Sequence, residues 1–188
     1  MNNDRIRTVE YSERLAKRIA QHLLTGVPPE VVHGQRVTLL APGPDEVYSV
    51  CSLSNQVVVG ICTGVRMKWH ASRHRIELVQ LVVHPDFQRR GIARQMIRAI
   101  SEHFEERGAE ILQVSADGGN QAAIEAYRRM GFVEFGRLQN GLKYDDRHAD
   151  EVMMAAGVDA MLDATDYDQD YQSFLRNSSS SSQQLLEV

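Results

Sequence analysis

The sequence predicts an α/β (α+β) fold built on one mixed, mostly antiparallel central sheet flanked by helices. Three observations carry that expectation. Residues 77–94, read as ELVQLVVHPDFQRRGIAR, place a short β-branched apolar run, a basic glycine turn and the start of an amphipathic helix in direct succession. A second apolar run at 110–116 follows that helix, and a strand–helix–strand order of this length implies a parallel pair with a right-handed crossover. Two further pairs of runs, 47–53 with 57–66 and 132–138 with 149–155, sit close enough in sequence to pair antiparallel.

Taken in order, residues 6–9 make a short first strand, and Ser12 stands as the cap of a helix over 13–24 with Leu15, Ile19, His22 and Leu23 on one face. Gly26 and Pro28-Pro29 end it. Residues 36–40 read equally as a strand or as an apolar part of a loop, because APGPDE interrupts them at once. The runs 47–53 and 57–66 are joined through Ser54-Asn55-Gln56 as a hairpin. A basic loop, 68–75, leads into the central strand, whose Leu78, Val79, Leu81, Val82 and Val83 read as buried on both faces. Pro85 removes a ladder donor and holds His84 extended, which closes the strand.

Ile92, Met96, Ile97, Ile100 and Phe104 then recur at helical spacing over 93–107, with Gly108 as the stop. A third helix spans 120–130, capped by Asn120 and ended by Gly131. The closing pair, 132–138 and 149–155, has Asn140-Gly141 in its connection. From Gly157 the composition changes: five aspartates between 159 and 170 interleave with Met161, Leu162, Tyr167, Tyr171 and Phe174, and a serine-glutamine tract follows that cannot bury a core. Residues 1–156 are therefore read as the domain and 157–188 as a flexible tail, either solvated or, in its acidic-aromatic part, a lid or a partner-binding segment.

A chain of 188 residues with 43% hydrophobic and 24% charged content suits one globular domain that needs neither disulfides nor metal. The net charge of −4 argues against a general nucleic-acid binder, since the basic patch is local. Cys51 and Cys62 fall in apolar strand-like segments and read as buried free thiols, which suits a reducing cytoplasm. The start MNNDRIRT has no apolar signal region, position 2 is not the glycine that myristoylation needs, and no run reaches membrane-spanning length.

The turn Gln88-Arg89-Arg90-Gly91-Ile92-Ala93 has the ingredients of a pyrophosphate site. Gly91 permits a left-handed conformation, and the first amides of the following helix point outwards with the positive end of its dipole behind them. Arg89, Arg90 and Arg94 add charge, and the small Ala93 leaves room for a ligand to reach the main chain. The string from Val82 through His84-Pro85-Asp86-Phe87 to Ala93 resembles the acyl-CoA signature of the GNAT superfamily of N-acyltransferases, usually Q/R-x-x-G-x-G/A, with Ala93 in place of the commoner glycine. A second string, N-x-x-A-x-x-x-Y-x-x-x-G-F from Asn120 to Phe132, resembles another block of the same superfamily. The resemblance covers about residues 5–156 and is strongest over 76–133.

The resemblance implies a sheet whose parallel strands splay at their far ends to admit the acyl-pantetheine arm. It implies that the backbone amides of Arg89, Arg90, Gly91, Ile92, Ala93 and Arg94, beside Gln88, hold the coenzyme pyrophosphate. Leu81, Val82 and Val83 would contact the pantetheine, the N–H of Val82 or Val83 holding the acyl carbonyl. The implied activity is acetyl transfer from acetyl-CoA to a primary amine by direct attack in a ternary complex, with no metal. Neither cysteine lies in a nucleophile setting, so no covalent enzyme intermediate is expected.

Each candidate side chain has a competing role. Glu77 is placed where some family members carry the general base, or it pairs with Arg73 or Arg75 at a strand end. Tyr127, seven residues beyond Asn120 and on the same helical face, could donate to the coenzyme sulfur or simply pack in the core. Asn120 could touch the coenzyme or only cap its helix. His70 and His74 read as solvated histidines rather than metal ligands, and Trp69 either lines an acceptor cleft or packs. The acceptor is open among a peptide or protein N-terminus, an amino acid, a polyamine and an aminoglycoside. A lysine-like amine costs about 4–5 kcal/mol to deprotonate at pH 7 and an α-amine about 1–1.5 kcal/mol, so α-amines demand less of the protein. A rival reading is a non-catalytic acyl-CoA-binding sensor or protein-interaction module; a homodimer is compatible with either reading.

Overall fold

A computed structural model describes residues 6–25 and 43–163 of the chain. Seven strands, β1 (Arg7–Glu10), β2 (Val47–Ser54), β3 (Val57–Arg66), β4 (Arg75–Val83), β5 (Ile111–Asp117), β6 (Val133–Lys143) and β7 (His148–Gly157), form one sheet in the order β1-β2-β3-β4-β5-β7-β6. Every neighbouring pair is antiparallel except β4 and β5, which are parallel as the strand–helix–strand order requires.

The connecting helix α2 (Ile92–Glu105) buries Ile92, Met96, Ile97, Ile100 and Phe104 against the sheet. Five such side chains remove enough apolar surface from water to contribute on the order of 10 kcal/mol before conformational entropy is subtracted. The helix lies directly over β3, where glycine makes the approach possible: a Cβ on Gly64 would stand 2.7 Å from Ile100 Cγ2 and 2.8 Å from Phe104 Cε2. Helix α3 (Gln121–Arg129) shares that face and contributes Ile124 and Tyr127 to the same core. Helix α1 (Glu13–His22) covers the other face over β2 and β3, packing Leu15, Ala16, Ile19 and Ala20 on Cys51, Leu53, Val58 and Ile61. Because β2 pairs with β3 through Val50↔Cys62 and Cys51↔Ile61, the two buried thiols point to opposite faces of the sheet, which rules out a disulfide between them.

Several local expectations change. Ser12 occupies the cap position of α1, but its side chain makes no capping bond; its carbonyl accepts the Leu15 N–H at 2.9 Å. The β2–β3 turn has two residues, Asn55 (φ 46°) and Gln56 (φ 70°), both left-handed as a type I′ turn requires. Asn140-Gly141 is not the β6–β7 turn: it lies inside β6 as an irregularity between Leu138 and Leu142, with the Asn140 N–H donating to Asp150 Oδ1 at 3.1 Å. The turn itself closes at Tyr144, whose N–H donates to Arg147 O at 2.8 Å. The segment assigned to the tail from Gly157 begins instead with a short helix, α4 (Val158–Leu162), whose Val158 and Met161 are buried in the main core. Residues 36–40, the Gly26 and Pro28-Pro29 stop, and the chain from 164 onward lie outside the described residues.

Candidate functional site

The site is built where β4 leaves β5. Their pairing runs only from Arg75↔Ile111 to Leu78↔Val114, while β4 continues five residues further to Val83. On its other side β4 stays paired with β3, but Ile61↔Val82 and Thr63↔Val79 leave one extra residue in β4. That bulge holds Gln80 in a left-handed conformation, φ 54°, and exposes its side chain. The strand is therefore not buried on both faces throughout: Ile76 and Leu78 are buried, whereas Val79, Leu81, Val82 and Val83 are half-buried, because no strand covers their open edge.

His84 donates its N–H to Val59 O on β3 at 2.8 Å, so by antiparallel alternation Val82 addresses β3 and Val83 addresses the side that β5 has left. The Val83 carbonyl is met there by Gln88 Nε2 at 3.2 Å, which ties the strand end to the glycine turn. Leu81 and Val83 pack toward the α2 face and Val82 toward the α1 face.

In the turn, Arg89 (φ 59°) and Gly91 (φ 76°) both take left-handed backbone, and Gly91 is the N-cap of α2. The first helical bond runs from Gln95 N–H to Gly91 O at 3.0 Å. The N–H groups of Arg89, Arg90, Gly91, Ile92 and Ala93 donate to nothing among the described residues. A Cβ on Gly91 would meet no atom within 4 Å, so open space stands over these amides. Arg90 is steadied by its own bond to Asp86 O (2.8 Å) and by the Phe87 ring 5.0 Å from its guanidinium carbon. Ile92 is itself buried, so only its main chain faces this space. Free amides, a helix N-terminus and guanidinium groups around one opening fit a pyrophosphate.

Tyr127 is 8% exposed, in the core beside Phe132 at a ring-centre distance of 5.8 Å. Burial first, and the nearby Cys62 thiol second, push its phenol up to about 12. Its hydroxyl makes no hydrogen bond among the described residues, yet no fully enclosed side-chain oxygen or nitrogen there lacks a partner. The hydroxyl therefore sits at the lip of the core, touching the surface. Asn120 does cap α3, its Oδ1 accepting the Ala123 N–H at 3.1 Å.

Glu77 lies between Ile76 and Leu78, which face α2, so its side chain projects to the opposite face of the sheet. It is one residue before the last rung shared with β5, beside Gln113. The expected ion pairs do not form: Arg73 binds Glu46, and Arg75 gives its Nη2 to Gln113 Oε1. Glu77 is half-buried and has no partner among the described residues.

Trp69 does not line this site and does not pack. It is 77% exposed in the β3–β4 connection, at the end of β4 remote from the glycine turn. His70 begins a short 3-10 turn there and is exposed. Two features carry no clear sequence signal. The bulge at Gln80 is marked only by one polar residue in an apolar run. The Asp117 carboxylate binds Arg147 (2.5 Å) and the Gly119 N–H (2.8 Å), joining the β6–β7 turn to the loop that precedes Asn120. Those partners hold the Asp117 carboxyl below its ordinary range, Arg147 first and the Gly119 amide second.

Among the described residues no three His, Cys, Asp or Glu side chains gather as a metal site, and no helix is long and apolar enough to cross a membrane. The acetyltransferase (GNAT) family model matches residues 17–132. A [ribosomal protein bS18]-alanine N-acetyltransferase of Salmonella typhimurium is 35% identical over 81 residues, 43% of this chain and 55% of that protein. The chain thus spans about half the length of the curated relatives it matches. Among solved structures, the ribosomal-protein-alanine N-acetyltransferase of Brucella melitensis superposes with a TM-score of 0.66 at 21% identity, covering 80% of this chain and 99% of that one. A Salmonella typhimurium protein solved with its cofactor acetyl-CoA gives 0.68 at 16% identity, covering 82% and 94%. At those identities the structural likeness speaks for the fold, and the family match carries the assignment: the chain belongs to the acetyltransferase (GNAT) family.

Proposed function

We propose that this chain transfers an acetyl group from acetyl-CoA to the α-amine of a polypeptide N-terminus, by direct attack in a ternary complex. The observation that carries the reading is the row of unengaged amides from Arg89 to Ala93 under open space, set at the end of a strand that has parted from its parallel neighbour. In this reading those amides and the α2 N-terminus hold the pyrophosphate, and the thioester arm lies along Leu81–Val83 in the gap. The Val83 N–H, directed into the gap, holds the carbonyl oxygen as charge develops on it.

Glu77 takes the amine proton, directly or through one water, from the α1 face. Tyr127 stands on the α2 face, where the thiolate departs. A phenol at about 12 is a far weaker acid than a thiol near 8.5, so full proton transfer from Tyr127 would be uphill by about 4–5 kcal/mol. Its role is that of a permanently protonated hydrogen-bond donor to the sulfur. The proton that ends on the thiol is the one the amine releases.

The α-amine is favoured over a lysine because it needs about 3 kcal/mol less help to lose its proton at pH 7. The curated relatives named for N-acetylation of a ribosomal-protein alanine, a residue whose side chain carries no amine, agree with that preference. Release of free thiol from acetyl-CoA should follow addition of a peptide with a free N-terminal alanine and cease when that terminus is formylated. Equal release from the formylated peptide through an internal lysine would overturn the choice of acceptor.

A further inference from the structure

At the opposite end of α2 from the glycine turn, about 20 Å away by helix rise, a cavity of 430 Å³ is lined by Asp45, Arg66, Arg73, His74, Arg107 and Gly108. Three guanidinium groups and an imidazole face one carboxylate, on a chain whose net charge is −4. Arg66 is the inner wall, only 6% exposed, with its guanidinium carbon 5.4 Å from the Phe104 ring centre. Its Nε donates to Asp45 O (2.9 Å), Nη1 to Arg73 O (2.5 Å) and Nη2 to Arg107 O (3.1 Å). Carbonyl dipoles orient that cation but supply no counter-charge, and no carboxylate lies within ion-pair distance of it among the described residues.

The carboxylates near the cavity are committed elsewhere or face solvent. Glu46 binds Arg73, and Asp45, with a side chain 79% exposed, reaches Arg107 Nε at 3.0 Å, as does Glu106 its Nη1 at 3.6 Å. The Arg73 Nε–H, the Arg107 Nη2 and the His74 ring have no hydrogen-bond partner among the described residues. The balance at Arg66 is correspondingly positive: burial, and then Arg73, lower its pKa despite Glu46 and Asp45.

From this geometry we infer that the cavity between the ends of β3 and α2 is a second anion site, taking a compact doubly charged oxyanion, phosphate or a small phosphomonoester. Its donors are Arg66, Arg73, His74 and Arg107. It is separate from the coenzyme turn and does not depend on the acetyl-transfer reading.

The test is a titration of the full chain, saturated with coenzyme A so that the glycine turn is occupied, with inorganic phosphate in one arm and glycerol phosphate in the other, against chloride at equal ionic strength. The Nε–Hε resonance of Arg66 should move saturably with phosphate and not with chloride. Arg73→Gln, at a side chain 44% exposed, should weaken binding about tenfold, the loss of one charge-assisted contact. Arg90→Gln, at the coenzyme turn, should leave it unchanged. Tighter binding of the ester would make the ligand a phosphorylated metabolite, and equal binding free phosphate. No saturable shift beyond chloride, or binding lost in Arg90→Gln and kept in Arg73→Gln, would overturn the site.

Discussion

Glu77 and Tyr127 lie on opposite faces of the sheet, Glu77 on the α1 face one rung before β4 parts from β5, and Tyr127 in the core of the α2 face near Cys62 of β3. In the proposed reaction, an acyl carbon held between the strands is approached by an amine from one side and loses its thiolate toward the other. Each residue's surroundings match one half of that exchange: a carboxylate with no internal partner on one face, and a phenol held protonated by burial on the other.

Tyr127→Phe should lower kcat about 100-fold, the usual range for removing one preorganised donor at a developing charge, and change acetyl-CoA affinity less than about threefold. Stability should scarcely move, because the hydroxyl makes no internal hydrogen bond to lose. Unchanged turnover on a working acceptor would remove Tyr127 from the mechanism.

The same phenol predicts an alkaline stability step. A tyrosine near 10 when unfolded and about 12 when folded favours the folded state only while it is protonated. Measured against the ionised phenol, that advantage is full below about pH 10 and is lost as pH rises through about 12, a total near 3 kcal/mol, so Tyr127→Phe leaves neutral-pH stability in place and removes only the alkaline loss. Denaturant unfolding across that window should show a slope in the wild type that Tyr127→Phe flattens. Equal slopes would place the phenol in water.

Glu77→Gln should reduce kcat/KM about 100-fold at neutral pH, within the range for general-base catalysis, with coenzyme affinity retained. The deficit should shrink as pH passes the acceptor amine's own pKa, because solvent then supplies the free base. A deficit that is constant with pH would make Glu77 a binding residue instead.

Gly91→Ala puts a side chain at φ 76°, costing about 1–2 kcal/mol of stability without any clash inside the protein. The new methyl stands in the open space over the amides. Calorimetry should show acetyl-CoA binding weakened by more than the backbone strain explains. Full affinity in the folded variant would move the pyrophosphate elsewhere.

The sequence was most informative where local chemistry decides structure. The run 77–94 shows its strand, its turn and its helix because a β-branched stretch, Pro85, Gly91 and the spacing from Ile92 to Phe104 all act over a few residues. Tertiary pairing decided the rest. Asn140-Gly141 carries a turn signature, yet pairing of β6 with β7 on both sides of it turns it into an irregularity within a strand. Val158 and Met161 belong to an acidic stretch by composition and to the core by position. Glu77's arginines were drawn away by Glu46 and Gln113, partners that lie 27 and 38 residues distant and that no local pattern reveals. The bulge at Gln80 depends on register, which a single strand does not display.

The central claim is tested most directly by calorimetric titration with acetyl-CoA, followed in the same preparation by free-thiol release with a peptide bearing a free N-terminal alanine. The account predicts saturable binding and thiol release that depends on that peptide. Absence of binding would contradict the site built on Gln88 to Ala93, and binding without release on any amine would make the chain an acyl-CoA sensor.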